Sequence, residues 1–174
     1  MGKAIVLDTS ALIMGYETAE VEAEHYTVPS VREEIHRDDI RKLRLDSAIN
    51  SGRITVRSPD PKYRGETQRV IGEMGESDAL SEADAELLAL GAQLKGEGWE
   101  TTVVSDDYSV QNVASELGLG FKGLATQGIK RQFKWETYCP GCRRTFEEPQ
   151  EDGVCPICGT DLKRRPSRKR PLRS

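Results

Sequence analysis

Four cysteines near the C-terminal end form two C-x2-C pairs, Cys139 with Cys142 and Cys155 with Cys158. This spacing lets four thiolates converge on one tetrahedral Zn²⁺, and the Pro and Gly residues around them favour the tight turns that the pairs require. Two disulfides are the alternative, but the opening sequence MGKAIVLD lacks the apolar stretch of a signal peptide and does not indicate an oxidising compartment. The pattern predicts a structural zinc, since four protein ligands leave no position for substrate.

A second set of reactive side chains consists of carboxylates at strand ends and helix starts. Asp8 follows the apolar run KAIVL, and Asp106 and Asp107 follow TTVVS. Glu34 and Asp84 lie near the helix starts predicted in PSVREEI and LSEADAELLALG. Parallel α/β sheets bind ligands at the carboxyl ends of their strands, so these acids are candidates to hold one or two Mg²⁺ or Mn²⁺ ions. Such ions lower the pKa of bound water and neutralise charge on a phosphodiester.

Each of these acids also has a structural explanation, because helix starts attract acidic residues generally. Asp8 and Asp107 would each cap the helix that follows. Asp84 would complete a capping box with Ser81, three residues earlier. Glu34 would be a solvated surface acid. The residues alone leave both explanations open.

The elements that must position these acids alternate between strands and helices. Short apolar runs predict strands at 3–7, 26–28, 54–57, 101–105 and 119–122. Helices are predicted after Asp8, from Pro29, over about 40–50, from Ser81 and after Asp107. Residues 58–66 are predicted to be a loop, followed by a weak helical segment. This alternation predicts an α/β/α sandwich around a mostly parallel central sheet.

The 174 residues accommodate one ordinary domain and a small appendage. The predicted division is an α/β domain over 1–128, a basic-aromatic linker over 129–135, a zinc ribbon over 136–163 and a basic disordered tail over 164–174. No window approaches the roughly 20 apolar residues that span a bilayer. The expectation is therefore a soluble, cytoplasmic protein with no membrane partner.

The net charge of −4 conceals an uneven distribution. Residues 163–174 hold seven Lys or Arg and no acid, which leaves 18 basic and 29 acidic residues in 1–162. An acidic body with a basic tail fits a metal-dependent enzyme that acts on a polyanion, although a solvated terminus is the alternative. The aromatic residues Phe133, Trp135 and Tyr138 would stack on unpaired bases or pack between the ribbon and the core.

The four acidic motifs together resemble the PIN domain, a nuclease fold. The matching segments are LDTSALI (7–13), PSVREEI (29–35), LSEADAELLALG (80–91) and VVSDDYSVQNVA (103–114). The resemblance implies that the catalytic acids are Asp8, Glu34, Asp84 and Asp107, with Asp106 as a close companion. It also implies that Asp8, Asp84 and Asp107 bind catalytic Mg²⁺ or Mn²⁺, and that Ser10 and Ser105 support the metal cluster.

With the ribbon included, the chain is similar to the NIN-one-binding protein family in its archaeal form. That resemblance implies a metal-dependent endoribonuclease that cuts precursor small-subunit ribosomal RNA near its mature 3′ end, with the small-subunit precursor particle as partner. One alternative is a toxin-type PIN ribonuclease acting on tRNA or mRNA, although such toxins normally lack a zinc ribbon. Another is a non-catalytic RNA- or protein-binding assembly factor, which the full acidic set disfavours.

Overall fold

The computed structural model describes residues 2–16, 18, 21–35, 40–146, 150 and 152–171. Its larger sheet has five parallel strands in the order β3-β2-β1-β4-β5. These strands are β1 (Lys3–Leu7), β2 (Glu24–Thr27), β3 (Thr55–Val56), β4 (Glu100–Val104) and β5 (Gly120–Lys122). The prediction of an α/β fold with a mostly parallel central sheet is confirmed.

Helices cover both faces of this sheet and bury a separate apolar core on each. They are α1 (Thr9–Ile13), α2 (Pro29–Glu34), α3 (Ile40–Asn50), α4 (Pro61–Met74), α5 (Glu82–Gly96) and α6 (Tyr108–Glu116). Strand β1 supplies both cores, because successive side chains of a strand point to opposite faces. Ala4 and Val6 join the core under α4, α5 and α6, whereas Ile5 and Leu7 join the core under α1 and α3.

Two local predictions differ from the structure. The segment 58–66 was expected to be a loop, but α4 begins at Pro61, a residue suited to the first position of a helix because its missing N–H has no helical partner there. The amphipathic helix expected over 40–50 is present as α3, yet Ile40 and Leu43 point to solvent and are 65% and 68% exposed. Periodicity identified this helix and its buried Leu45, but not which of its other apolar residues face solvent.

A second, antiparallel sheet has the strand order β7-β6-β8. Its strands are β6 (Arg131–Tyr138), β7 (Thr145–Phe146) and β8 (Lys163–Pro171). The structure therefore differs from the expected linker over 129–135 and the expected disordered tail over 164–174. Most of the linker lies in β6, and the described part of the tail lies in β8, paired with β6 from Arg131↔Pro171 to Tyr138↔Lys163. Backbone ladder bonds form whatever the side-chain charge, so a basic composition did not prevent a strand.

Strand β6 is fixed to the α/β body by side-chain hydrogen bonds to its backbone. Asn112 of α6 donates to the carbonyl of Phe133 and accepts from its N–H, both at 2.8 Å. The same amide donates to the buried carboxylate of Glu76 at 2.8 Å. The close approach also requires a glycine after α4: a Cβ at Gly75 would lie 2.6 Å from the carbonyl oxygen of Trp135.

Candidate active site

The carboxyl ends of β1 and β4 bring two acidic segments side by side. The two strands are adjacent and parallel, and Leu7 lies opposite Val104 in register. The residues that follow them, Asp8 and Ser105, therefore leave the sheet at the same level, and the N–H of Asp8 donates to the carbonyl of Val104 at 3.2 Å. Residues nearly a hundred positions apart in sequence meet at this edge.

The carboxylate of Asp8 is buried and held in one orientation by three donors. The hydroxyls of Ser10 and Ser105 donate to Oδ2 at 2.9 and 2.7 Å, and the N–H of Thr9 donates to Oδ1 at 2.6 Å. Asp8 therefore caps α1, which is the structural role that the sequence suggested for it. Its carboxylate nevertheless remains at the carboxyl end of β1. These three hydrogen bonds fix the position of the carboxylate for a further partner.

Glu34 lies at the C-terminal end of α2 and is exposed. It accepts a hydrogen bond from the first residue of α1, next to Asp8. The Thr9 hydroxyl donates to Glu34 Oε2 at 2.5 Å. Thr9 therefore connects the first and second acidic motifs, a role that the sequence analysis did not assign. The DTS triplet that follows β1 was the available signal, since it places three polar side chains at the end of an apolar strand.

A buried carboxylate that the sequence analysis did not single out fixes α2 in this arrangement. Glu86 of α5 accepts hydrogen bonds from the N–H and hydroxyl of Ser30, at the start of α2. It also forms an ion pair with Arg64 of α4. These contacts join α2, α4 and α5, so the helix that carries Glu34 is positioned by a buried charge with partners on two sides.

Asp84 is half-buried in the first turn of α5 and forms a complete capping box with Ser81. Burial is the main cause that raises the pKa of its carboxyl group, and the negative charges of Asp8 and Asp107 raise it further. Hydrogen bonds from Ser81 oppose this shift without cancelling it. The charges of Asp8 and Asp107 therefore reach Asp84, which is consistent with the three acids lying in one region of the fold.

The two adjacent aspartates after β4 have different surroundings. Asp107 is exposed and caps α6 by accepting from the N–H of Ser109 at 2.6 Å. Its own N–H donates to the Ser105 hydroxyl at 3.1 Å, so Ser105 contacts both Asp8 and the Asp107 backbone. The cap that the sequence suggested for Asp107 is present, and one of its carboxylate edges still faces solvent.

Asp106 instead directs its carboxylate into the loop after β5. It accepts hydrogen bonds from the N–H groups of Leu124, Ala125 and Thr126 at 2.9 to 3.2 Å, and from the Thr126 hydroxyl at 3.1 Å. Burial acts to raise the pKa of Asp106, but the hydrogen bonds from Thr126, Ala125 and Leu124 together outweigh it and lower the pKa. The donors of this loop occupy the Asp106 carboxylate.

The donor set at this edge fits a hard divalent cation. It consists of carboxylate oxygens, which Mg²⁺ and Mn²⁺ prefer. Burial, and to a smaller extent the charges of Asp8 and Asp107, raise the pKa of Asp84, and a bound cation would favour its ionised form. Among the residues that the structure describes, only the four cysteines have ligand atoms gathered tightly enough to qualify as a ready metal cluster. Mg²⁺ commonly retains several waters between itself and the protein, so a looser ring of acids is compatible with it.

The four cysteines form a second candidate metal centre, in the small sheet. Their sulfur atoms all lie within 4.8 Å of one another, and no pair is bonded as a disulfide. The Sγ atoms of Cys139 and Cys158 are 3.4 Å apart, and those of Cys142 and Cys155 are 3.7 Å apart. A tetrahedron with Zn–S bonds of about 2.3 Å has edges of about 3.8 Å, so the arrangement fits a structural Zn²⁺.

The two cysteine pairs have matching turns. The N–H of Cys139 donates to the carbonyl of Arg144 at 2.8 Å, and the N–H of Cys155 donates to the carbonyl of Thr160 at 2.9 Å. Hydrogen bonding from the Thr160 side chain is the largest cause that lowers the pKa of Cys158, to about 6. A thiol with that pKa is largely thiolate at neutral pH, the form that binds zinc.

Comparisons with known proteins agree with this architecture. The family described as the PIN domain of ribonuclease matches residues 5–94. Endoribonuclease Nob1 of Pyrococcus abyssi is 42% identical over 95% of this chain and 96% of its own length. Endoribonuclease Nob1 of Methanothermobacter thermautotrophicus is 39% identical over 92% of this chain and 91% of its own length. Ribonuclease VapC1 of Thermoplasma acidophilum is 35% identical over 94% of this chain and 79% of its own length.

The fold and the similarity together define a metal-dependent ribonuclease of the PIN class. Within that class, the chain belongs to the family of Nob1 (NIN-one-binding) endoribonucleases. The similarity to these relatives extends over both the α/β body and the ribbon. In the part of the chain that the structure describes, no helix is long and apolar enough to cross a membrane.

Proposed function

We propose that this endoribonuclease cuts precursor small-subunit ribosomal RNA near its mature 3′ end, in the cytoplasm and on the small-subunit precursor particle. The relatives named endoribonuclease Nob1 support this assignment through similarity over nearly the whole chain. The main observation in favour of this active site is that the charges of Asp8 and Asp107 contribute to the raised pKa of Asp84. The three acids come from separate motifs.

The proposed catalytic acids are Asp8, Glu34, Asp84 and Asp107, with Asp8, Asp84 and Asp107 as ligands of Mg²⁺ or Mn²⁺. The bound cation supplies a water of lowered pKa and neutralises charge on the scissile phosphate. Asp8 contributes a carboxylate whose orientation is set by hydroxyl groups at 2.7 and 2.9 Å. The loop after β5 occupies Asp106, which favours Asp107 over Asp106 as the ligand after β4.

Exposed cations in β6, just before it and at the start of β8 support RNA binding. Lys130, Arg131, Lys134 and Lys163 are exposed, and cations of this kind give affinity for phosphate that weakens with salt. Other basic side chains have structural partners. Arg165 pairs with Glu136 at 2.7 Å and lies over the ring of Tyr138, so it contributes to the fold of the small sheet.

The decisive experiment compares wild type with Asp8→Asn on an RNA that spans the 3′ end of small-subunit ribosomal RNA, in Mn²⁺. Loss of a ligand that supports several kcal/mol of charge stabilisation predicts a cleavage rate lower by on the order of 10³-fold. Asn keeps the size of Asp, so RNA affinity measured by filter binding is expected to stay close to the wild-type value. Equal cleavage by both proteins would contradict the assignment.

The similarity to ribonuclease VapC1 gives a second candidate, a ribonuclease that acts on tRNA or mRNA. The same assay separates the two, because parallel reactions with tRNA and mRNA would be cut faster than the ribosomal RNA precursor if this candidate were correct. A non-catalytic assembly factor predicts no Mn²⁺-dependent cleavage of any of these RNAs.

A further inference from the structure

A cleft lies where β6 meets the start of α6, directly beside the proposed active site. Its volume is about 420 Å³, within the usual range for small-ligand sites. Its walls include Tyr108, Asn112, Ile129, Lys130, Phe133 and Trp135. Tyr108 follows Asp107 in the chain, so the cleft begins one residue from a proposed metal ligand.

The walls combine aromatic rings with cations at the rim. Tyr108 is 56% exposed, and Phe133 and Trp135 are half-buried with ring centroids 5.9 Å apart. Lys130 and Arg131 are exposed and also line the cleft. An unpaired nucleotide has both features that complement such walls, a flat base that stacks on rings and a phosphate that attracts cations.

Two of the polar side chains that line the cleft, Asn112 and Glu76, are already occupied within the protein. Asn112 uses its amide on the backbone of Phe133 and on Glu76. The Glu76 carboxylate receives hydrogen bonds from Asn112 and Arg164 and is almost fully buried. These groups are not available to read the edge of a base, so the cleft favours stacking over base-specific hydrogen bonds.

We infer that this cleft binds one unpaired nucleobase of the RNA strand, next to the phosphate that is cut, by stacking and without strong preference for base identity. The inference rests on the proposed function for the position of the strand, because the acids at Asp107 fix where the phosphate lies. What it adds is the place of that base in the protein, the cleft between β6 and the start of α6.

The test uses a short single-stranded RNA that covers the cut site, and a series in which one nucleotide at a time lacks its base. Affinity is measured with the Asp8→Asn protein, in which cleavage does not interfere. Stacking of one base on aromatic side chains predicts that affinity falls roughly 5- to 150-fold at one position beside the cut and little elsewhere. Exchanging that base for another is expected to have a much smaller effect, since every base has a face that stacks.

A second variant connects that position with the cleft. Added to the Asp8→Asn protein, Tyr108→Ala is expected to weaken binding of the intact RNA and to reduce the penalty for the missing base. Tyr108→Phe keeps the ring and is expected to keep the penalty. Tyr63→Ala is the matched control, because Tyr63 lies against Gly96 at the far end of α5, about 18 Å along that helix from Asp84.

Fluorescence gives a readout that does not depend on affinity. The chain has two tryptophans, and Trp99 packs against the core of the body beside Gly2. In a Trp99→Phe protein the emission reports Trp135 in the cleft, and it is expected to be quenched by the intact RNA but not by the RNA that lacks the critical base.

The outcomes separate the two proposals. Tolerance of a missing base at every position, or a penalty that Tyr108→Ala leaves unchanged, would overturn the inference about the cleft even if the protein cuts RNA. Failure of the wild-type protein to cut any RNA would overturn the proposed function, whereas a base-dependent quench of Trp135 would still support the cleft. Absence of RNA binding would overturn both.

Discussion

Different forces stabilise the α/β body and the zinc ribbon. The body buries two apolar cores, one on each face of its sheet. In the ribbon, the buried residues among those described in 136–163 are Cys139 and Cys155 alone, while Val154 and Ile157 are 37% and 52% exposed. The body is stabilised by removal of apolar surface from water, whereas the ribbon depends on a metal at its centre.

This difference also separates the two metal centres. The cysteines lie inside the ribbon and would be fully occupied by zinc, so they serve the fold. The acids lie at the edge of a sheet that is stable through its apolar cores, so they can remain partly uncompensated. A site whose like charges repel one another costs stability, and a large core can tolerate that cost.

The largest effect that tests this comparison is removal of zinc. Zinc binding contributes about 10–16 kcal/mol in small zinc modules, so a strong zinc chelator or Cys155→Ser is expected to unfold the ribbon. Hydrogen exchange should then lose protection around 139–162 and keep it in β1 and β4. Asp8→Asn is the control, because it should abolish cleavage without loosening the ribbon. Simultaneous loss of protection in the body would show that the two regions are one cooperative unit.

The next effect concerns the contact between the two regions. Asn112→Ala removes one partner from both backbone groups of Phe133 and from one Glu76 oxygen. Leaving buried polar groups unpaired costs about 1–3 kcal/mol each, so we expect β6 to become the least protected strand in hydrogen exchange. Asn50→Ala, at an exposed position at the end of α3, is the matched control and is expected to change nothing. A β6 as well protected as in wild type would show that other contacts hold it.

A smaller effect, which stabilises the fold instead of destabilising it, is expected among the acids at the carboxyl edge of the larger sheet. Burial and the charges of Asp8 and Asp107 raise the pKa of Asp84, so its ionised form destabilises the fold, and this cost appears as pH rises through that pKa. At neutral pH without divalent metal, Asp84→Asn is expected to raise the Tm of the body slightly, by about 1–2 °C, because solvent screens the charge of a half-exposed carboxylate. Mg²⁺ should raise the Tm of wild type more than that of the variant. Ser81→Ala, which removes the cap but keeps the charge, should lower the Tm instead.

The smallest effect concerns a histidine in the body. His25 is buried, and burial lowers its pKa despite the opposing influence of Glu24 and the Ala23 backbone. The unfolded chain therefore takes up a proton more readily than the folded one, and stability is expected to fall as pH drops below about 6.5. His25→Phe should remove part of that dependence in urea unfolding at pH 5.5 and 7.5. His36→Gln, at the other histidine of the chain, is the control.

Local signals in the sequence predicted much of the body and the ribbon. The apolar run KAIVL predicted β1, and the Ser81 and Asp84 pair predicted the capping box that begins α5. The cysteine spacing predicted a metal centre, and the four sulfur atoms are gathered as that prediction requires. These predictions succeed because strand periodicity, helix capping and metal turns depend on residues a few positions apart.

Such local signals could not predict contacts between residues that are far apart in the sequence. The pairing of β8 with β6, the bonds of Asn112 to Phe133 and the occupation of Asp106 by the 124–126 loop all join distant residues. A tail with seven cations was expected to be disordered, but its pairing uses backbone groups, which composition does not reveal.

The amino-acid sequence by itself determined the zinc ligands, the alternation of strands and helices, and the identity of the acids at strand ends, because each follows from chemistry between near neighbours in the chain. Only the tertiary structure decided which acidic segments share one edge of the sheet, which of two adjacent aspartates is more exposed, and that an aromatic cleft begins beside them. Those outcomes depend on the register of parallel strands and on the docking of β6, which bring together groups that the sequence keeps far apart.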